Sequence, residues 1–169
     1  MSINTKEIDV IWNGMTITDD LKAALNISDP YLENNQVIVC QKSVKDNYTT
    51  KESLATAAEI LVEAGSAGES AVTKLGYGVS TMEAQKDTLL EVKTSPNKVA
   101  VIDKIMAAFL ITSETSYSDL AFVDVGFETE QFGIGFRKED TELCKKVNEA
   151  IKTLKENGKF EEIRAKYFG

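Results

Sequence analysis

Between Ile60 and Ile111 the sequence changes repeatedly from one periodicity to another, and this alternation limits the fold more than any other feature. Glu59-Ile60-Leu61-Val62-Glu63 and Val99-Ala100-Val101-Ile102 are short, nearly continuous apolar runs, as strands covered on both faces require. The first leads through a Gly-rich turn into Ala71, Val72 and Leu75 at helical spacing. A mixed amphipathic helix is expected over Met82–Val92, carried by Met82, Leu89, Leu90 and Val92 and ended by Ser95-Pro96-Asn97. The second run leads into a helix over Ile105–Ile111. Strands and helices in alternation predict a parallel layer and the α/β class. With 169 residues, 43% of them apolar, the chain is long enough to bury a substantial core.

Other elements flank this layer. Ile8–Trp12 reads as a strand that runs into the turn signal Asn13-Gly14, followed by the hydroxyls of Thr16 and Thr18. Asp19-Asp20 looks like a helix start, and Asp29-Pro30 stops whatever helix forms. Gln36–Cys40 is a further doubly covered strand, and the polar stretch after it suits a lobe boundary or hinge, with a short helix over Leu54–Ala58. Leu120–Val123 and Phe132–Phe136 are strands, and from Thr141 the chain is helical, with Leu143, Val147, Ile151 and Leu154 on one face. Gly158 breaks that helix before a second, short one carrying Phe160, Ile163, Tyr167 and Phe168.

Charge and composition exclude several functions. A net charge of −8 and a pI near 4.7 argue against nucleic acid or an anionic membrane surface as partner. The chain has no histidine, which removes the commonest general base, the commonest metal ligand and every His-dependent triad. No metal or cofactor is expected. Cys40 and Cys144 show no metal or redox spacing and read as two small buried thiols, with a disulfide neither supported nor excluded. No stretch reaches the apolar length of a membrane span, and MSINTKEID lacks the apolar core of a signal peptide. Any export signal is therefore expected outside this chain, or the protein stays inside the cell.

Three places carry possible binding chemistry. The strand end at Trp12, Asn13, Gly14, Met15 and Thr16 offers an aromatic ring, an exposed Gly and polar donors. Ala64–Ser70 joins a strand to a helix start, where N–H groups and the positive end of the dipole suit a carboxylate or phosphate. It lacks the Gly-Lys-Ser/Thr and GxGxxG patterns of nucleotide sites, and a tight turn capped by Ser66 is the alternative. Asp103 stands at the carboxyl end of its strand, where ligands gather in open αβ sheets. It either caps the next helix or holds a cation.

Taken in order, IDVIWNGMTIT, NISDPYLENNQVIV, EAGSAGES, VAVIDKIMA and QFGIGFRKEDTELCKKVNEAIKTLKENGKFEEIRAKYFG resemble the extracellular solute-binding proteins that feed amino acids to ABC transporters. The resemblance implies a periplasmic-binding-protein-like α/β fold with two lobes joined by crossover strands, here Gln36–Cys40 and Phe132–Phe136. It implies a complete second lobe over 42–131. The first lobe, over 1–41 and 132–169, is expected to be incomplete, without its opening strand–helix–strand–helix portion. Position by position, it implies that Asn13-Gly14-Met15-Thr16 offer main-chain and hydroxyl groups to the ligand. Ser66-Ala67-Gly68 would receive its carboxylate and Asp103 would pair with its α-ammonium. Trp12 is either part of an aromatic clamp or a core residue. Two positions depart from the pattern: Leu21 stands where many relatives carry an arginine that forks onto the ligand carboxylate, and Ala67 where a threonine is common.

Two functions follow from this. The first is binding of a small amino acid or derivative, with ABC-transporter membrane subunits as partners and an extracellular or periplasmic location, lipid-anchored in a full-length form. The second is a truncated, non-binding relative that persists as a structural protein, associating as a homodimer through the incomplete lobe. Some relatives of the fold are dehydratases, yet no paired carboxylates or activated nucleophile occur here, so an enzyme is not expected.

Overall fold

The computed structural model describes residues 2–168. In chain order its elements begin with β1 (Ile11–Thr16), α1 (Asp19–Ala24), β2 (Asn26–Ile27) and β3 (Leu32–Gln41). Two 3-10 helices, Lys42–Asn47 and Lys51–Thr56, precede β4 (Glu59–Glu63), α2 (Ala67–Lys74), β5 (Ser80–Met82) and α3 (Gln85–Thr94). Then come β6 (Lys98–Asp103), α4 (Lys104–Leu110), β7 (Leu120–Val123), β8 (Thr129–Phe136), α5 (Thr141–Glu156) and α6 (Lys159–Phe168). The chain divides into two compact units, Met1–Asn34 with Glu130–Gly169, and Asn35–Thr129.

In the second unit β4 pairs in parallel with β5 and with β6, while β3 runs antiparallel to β6 on one edge and to β7 on the other. Period-two alternation splits this sheet into two cores. Ile38, Cys40, Ile60, Val62, Val99 and Val101 face Val72 of α2, with Tyr48, Leu54 and Phe127. Val37, Val39, Leu61, Ala100 and Ile102 face Leu89 and Val92 of α3 and Ala107 of α4. Helices on both faces are why Val37–Cys40, Ile60–Val62 and Val99–Ile102 are continuous apolar runs. The boundary lies at Asn34/Asn35, ahead of the expected 41/42, because the β3–β6 pairing binds Gln36–Val39 into this sheet.

The first unit holds β1, β2 and β8, all antiparallel, with Ile134 and Phe136 of β8 packed on Cys144 and Ile151 of α5. The strand expected over Ile8–Trp12 instead starts at Ile11 and runs on through Thr16, because its partner β8 pairs with Ile11, Met15 and Thr16. Asn13-Gly14 is therefore no terminal turn. It lies inside an irregularity where the register steps from Ile11↔Gly135 to Met15↔Gly133. Gly14 takes φ +77° there, a conformation that costs a side-chain-bearing residue energy.

Other expectations need correction. The polar segment after Gln41 forms the two 3-10 helices, the second of which, Lys51–Thr56, replaces the short helix expected over Leu54–Ala58. Met82 ends the strand β5 beside Glu63 and does not open the next helix, which starts at Gln85. On α5 the inward stripe is Cys144 and Ile151 with the half-buried Val147, whereas Leu143 and Leu154 are exposed. Both cysteines are free thiols.

Candidate functional site

The polar cluster of the second unit forms where β4 and β6 end and their helices begin, the usual ligand-binding edge of such sheets. Ser66 caps α2 as its sequence suggests: its Oγ accepts from the Glu69 N–H at 3.1 Å, while Glu69 Oε2 accepts from the Gly65 N–H at 2.6 Å. Together these two bonds fix the helix start, with the Glu69 carboxylate reaching back one residue before the cap. Ala67 opens the helix and Gly68 is buried in its first turn. A Cβ at Gly68 would lie 2.6 Å from the Val101 carbonyl oxygen and 3.0 Å from Gln36 Oε1, so only glycine lets α2 seat this closely on β6.

Gln36 is paired with Asp103 across β3 and β6, and its Nε2 donates to Asp103 Oδ1 at 2.9 Å. Gln85, the first residue of α3, grips the same aspartate twice. Its Nε2 donates to Asp103 Oδ2 at 2.5 Å, and its Oε1 accepts from the Asp103 N–H at 3.1 Å. Asp103 occupies the N-cap position of α4 but makes no side-chain cap bond there, so the capping alternative is not the one adopted. The adjacent cation, Lys104, is turned to Asp124 at 2.8 Å and holds that carboxyl below its usual range. These amide donors orient the Asp103 carboxylate at the strand end. Ser66, Ala67, Gly68 and Asp103 thus belong to one cluster, linked through Gln36.

Trp12, Asn13, Gly14, Met15 and Thr16 lie together on β1 in the first unit. Trp12 is 57% exposed, which removes the core reading. Tyr31 stands edge-on to it, with ring centroids 6.0 Å apart at 73°. Burial raises the Tyr31 phenol pKa, opposed by hydrogen bonds from the Trp12 side chain and the Gly14 backbone. Asn13 is exposed, and Met15 pairs with Gly133. Thr16 Oγ1 donates its proton to Glu130 at 3.1 Å, so its hydroxyl is engaged within its own unit. Leu21, on α1, is half-buried.

Gln85, Tyr31 and the role of Gln36 escaped the sequence. Gln36 had a readable signal: a polar residue opening a doubly buried strand must find a partner. Gln85 and Tyr31 had none, because their partners lie far along the chain or in a turn.

Compared with known proteins, the fold is that of amino-acid receptors. A mutant of ArgBP from T. maritima superposes with a TM-score of 0.87 at 34% identity, covering 99% of this chain and 72% of that one. All of residues 1–169 match the bacterial extracellular solute-binding proteins, family 3, and the protein belongs to that family. The chain is 29% identical to a probable histidine-binding protein of Neisseria gonorrhoeae, and equally so to the arginine-binding extracellular protein ArtP of Bacillus subtilis strain 168. In both cases 99% of this chain is aligned, and it spans 63% and 66% of the relatives' lengths.

Proposed function

We propose that the protein binds an α-amino acid outside the cell or in the periplasm, as the receptor component of an ABC importer. The observation that carries this is Asp103, held by two glutamine amides beside the glycine-seated start of α2. That pairs an anionic group for an α-ammonium with a helix N-terminus for an α-carboxylate, the two ends of a zwitterion. Relatives named for arginine and histidine binding make those amino acids the first probes. In this reading Trp12 and the Asn13–Thr16 segment are the first unit's ligand-facing groups. Leu21 supplies no cation, so the carboxylate relies on Ser66–Gly68.

Calorimetry with L-arginine, L-histidine and a wider amino-acid panel tests this. At least one should bind, and Asp103→Asn should weaken it by about two decades, the value of a hydrogen-bonded charge in a shielded site. A panel without a hit would leave the non-binding reading in place.

A second reading concerns assembly. Among the described residues, Ile8, Trp12, Leu143, Leu154, Ile163 and Tyr167 of the first unit are exposed. These exposed apolar side chains favour association of two copies through that unit.

A further inference from the structure

We infer that Gln85 is a positioning residue for amino-acid recognition, acting on ligand only through Asp103; this rests on the reading of Asp103 as the ammonium anchor. Its side chain contacts both the carboxylate and the backbone N–H of Asp103. Two contacts from one planar amide fix the direction of the side chain relative to the strand end, where a single bond would leave it free to swing. Gln36 supplies the other constraint, on Oδ1, from β3. The carboxylate is thus held from two elements, β3 and α3, against the strand that carries it. Of the two glutamines Gln36 is the more deeply buried, at 1% exposure, and it also lies against α2 at Gly68. Substituting it would disturb packing as well as orientation. Gln85, at the half-buried first position of α3, is the residue whose loss isolates orientation. Preorganisation of this kind lowers the cost of binding without adding a contact to the ligand.

The test is Gln85→Met, which keeps the length of the side chain and removes both polar contacts. Binding of L-arginine and L-histidine is measured by calorimetry, and amide exchange is followed residue by residue in the ligand-free protein. The expected result is affinity weaker by about tenfold, with faster exchange at the Asp103 amide and unchanged exchange at Leu89 and Leu90 within α3. If Gln85→Met does not fold, Gln85→Asn, one methylene too short to make both contacts, serves in the same comparison. Unchanged affinity would overturn the inference while leaving Asp103 as the anchor. Weaker binding accompanied by faster exchange throughout α3 would also overturn it, since the residue would then be holding the helix. Failure of the unsubstituted protein to bind either amino acid removes the ammonium-anchor reading, and this inference with it.

Discussion

Cys40 lies one residue before the end of β3 with no exposed surface, and burial pushes its thiol from 9.0 up to about 11. A raised thiol pKa means that the unfolded chain releases this proton first. The stability tied to the neutral thiol is therefore complete below pH 9 and lost as the pH climbs towards 11. Burial also raises Tyr31, Tyr48 and Cys144, so all four groups push in the same direction and only a difference measurement isolates one. Urea unfolding of the parent and of Cys40→Val, at about pH 8 and about pH 10.5, should show a smaller alkaline loss for the variant. Equal losses would remove Cys40 as a contributor. At the same scale, Gln36 shows what a sequence can reveal. A polar residue at the head of an apolar run announces a buried contact, but it does not say that the partner will be Asp103.

Elements built from two-sided burial were readable, and those built from pairing or local turns were not. β4, β6 and β7 match their apolar runs, because a strand between two layers of helices excludes polar residues whatever its neighbours are. The extent of β1 depends on where β8 lies and on the irregularity around Gly14, which no local pattern encodes. The 3-10 helices after Gln41 have too short a repeat to leave a periodic trace. The candidate site divides the same way: the Ser66 turn and Asp103 announced themselves as strand ends, whereas Gln85 became part of it only through folding. Beyond β8, Arg137 joins distant pieces of the first unit. Its guanidinium donates to the Ile3 and Ile8 carbonyls and pairs with Asp9 and Asp140. This holds the N-terminal turn in which Ile3 is fully buried and Lys6 takes φ 62°. Arg137→Met should speed tryptic cleavage after Lys6 and lower the melting temperature. Cleavage at the parental rate would show that the turn holds itself in place.

For the whole molecule, the ratio of core to exposed apolar surface differs between the units. The second unit has a core on each face of its sheet, and the first packs one small cluster against α5. The chain spans 63% and 66% of the length of the relatives compared, and six large apolar side chains of the first unit face solvent. Light scattering coupled to gel filtration should show a dimer at tens of micromolar, roughly the range in which modest interfaces form. Ile163→Glu combined with Tyr167→Glu should restore a monomer, and a parent that is monomeric throughout would end that reading. The placement of the two free thiols has a practical consequence. Cys40 belongs to one unit and Cys144 to the other, and both are buried. A thiol reagent can reach each only when its own unit opens, so the unaltered chain carries a built-in reporter in each half. The labelling rates of the two thiols therefore report separately whether the halves unfold together or in turn.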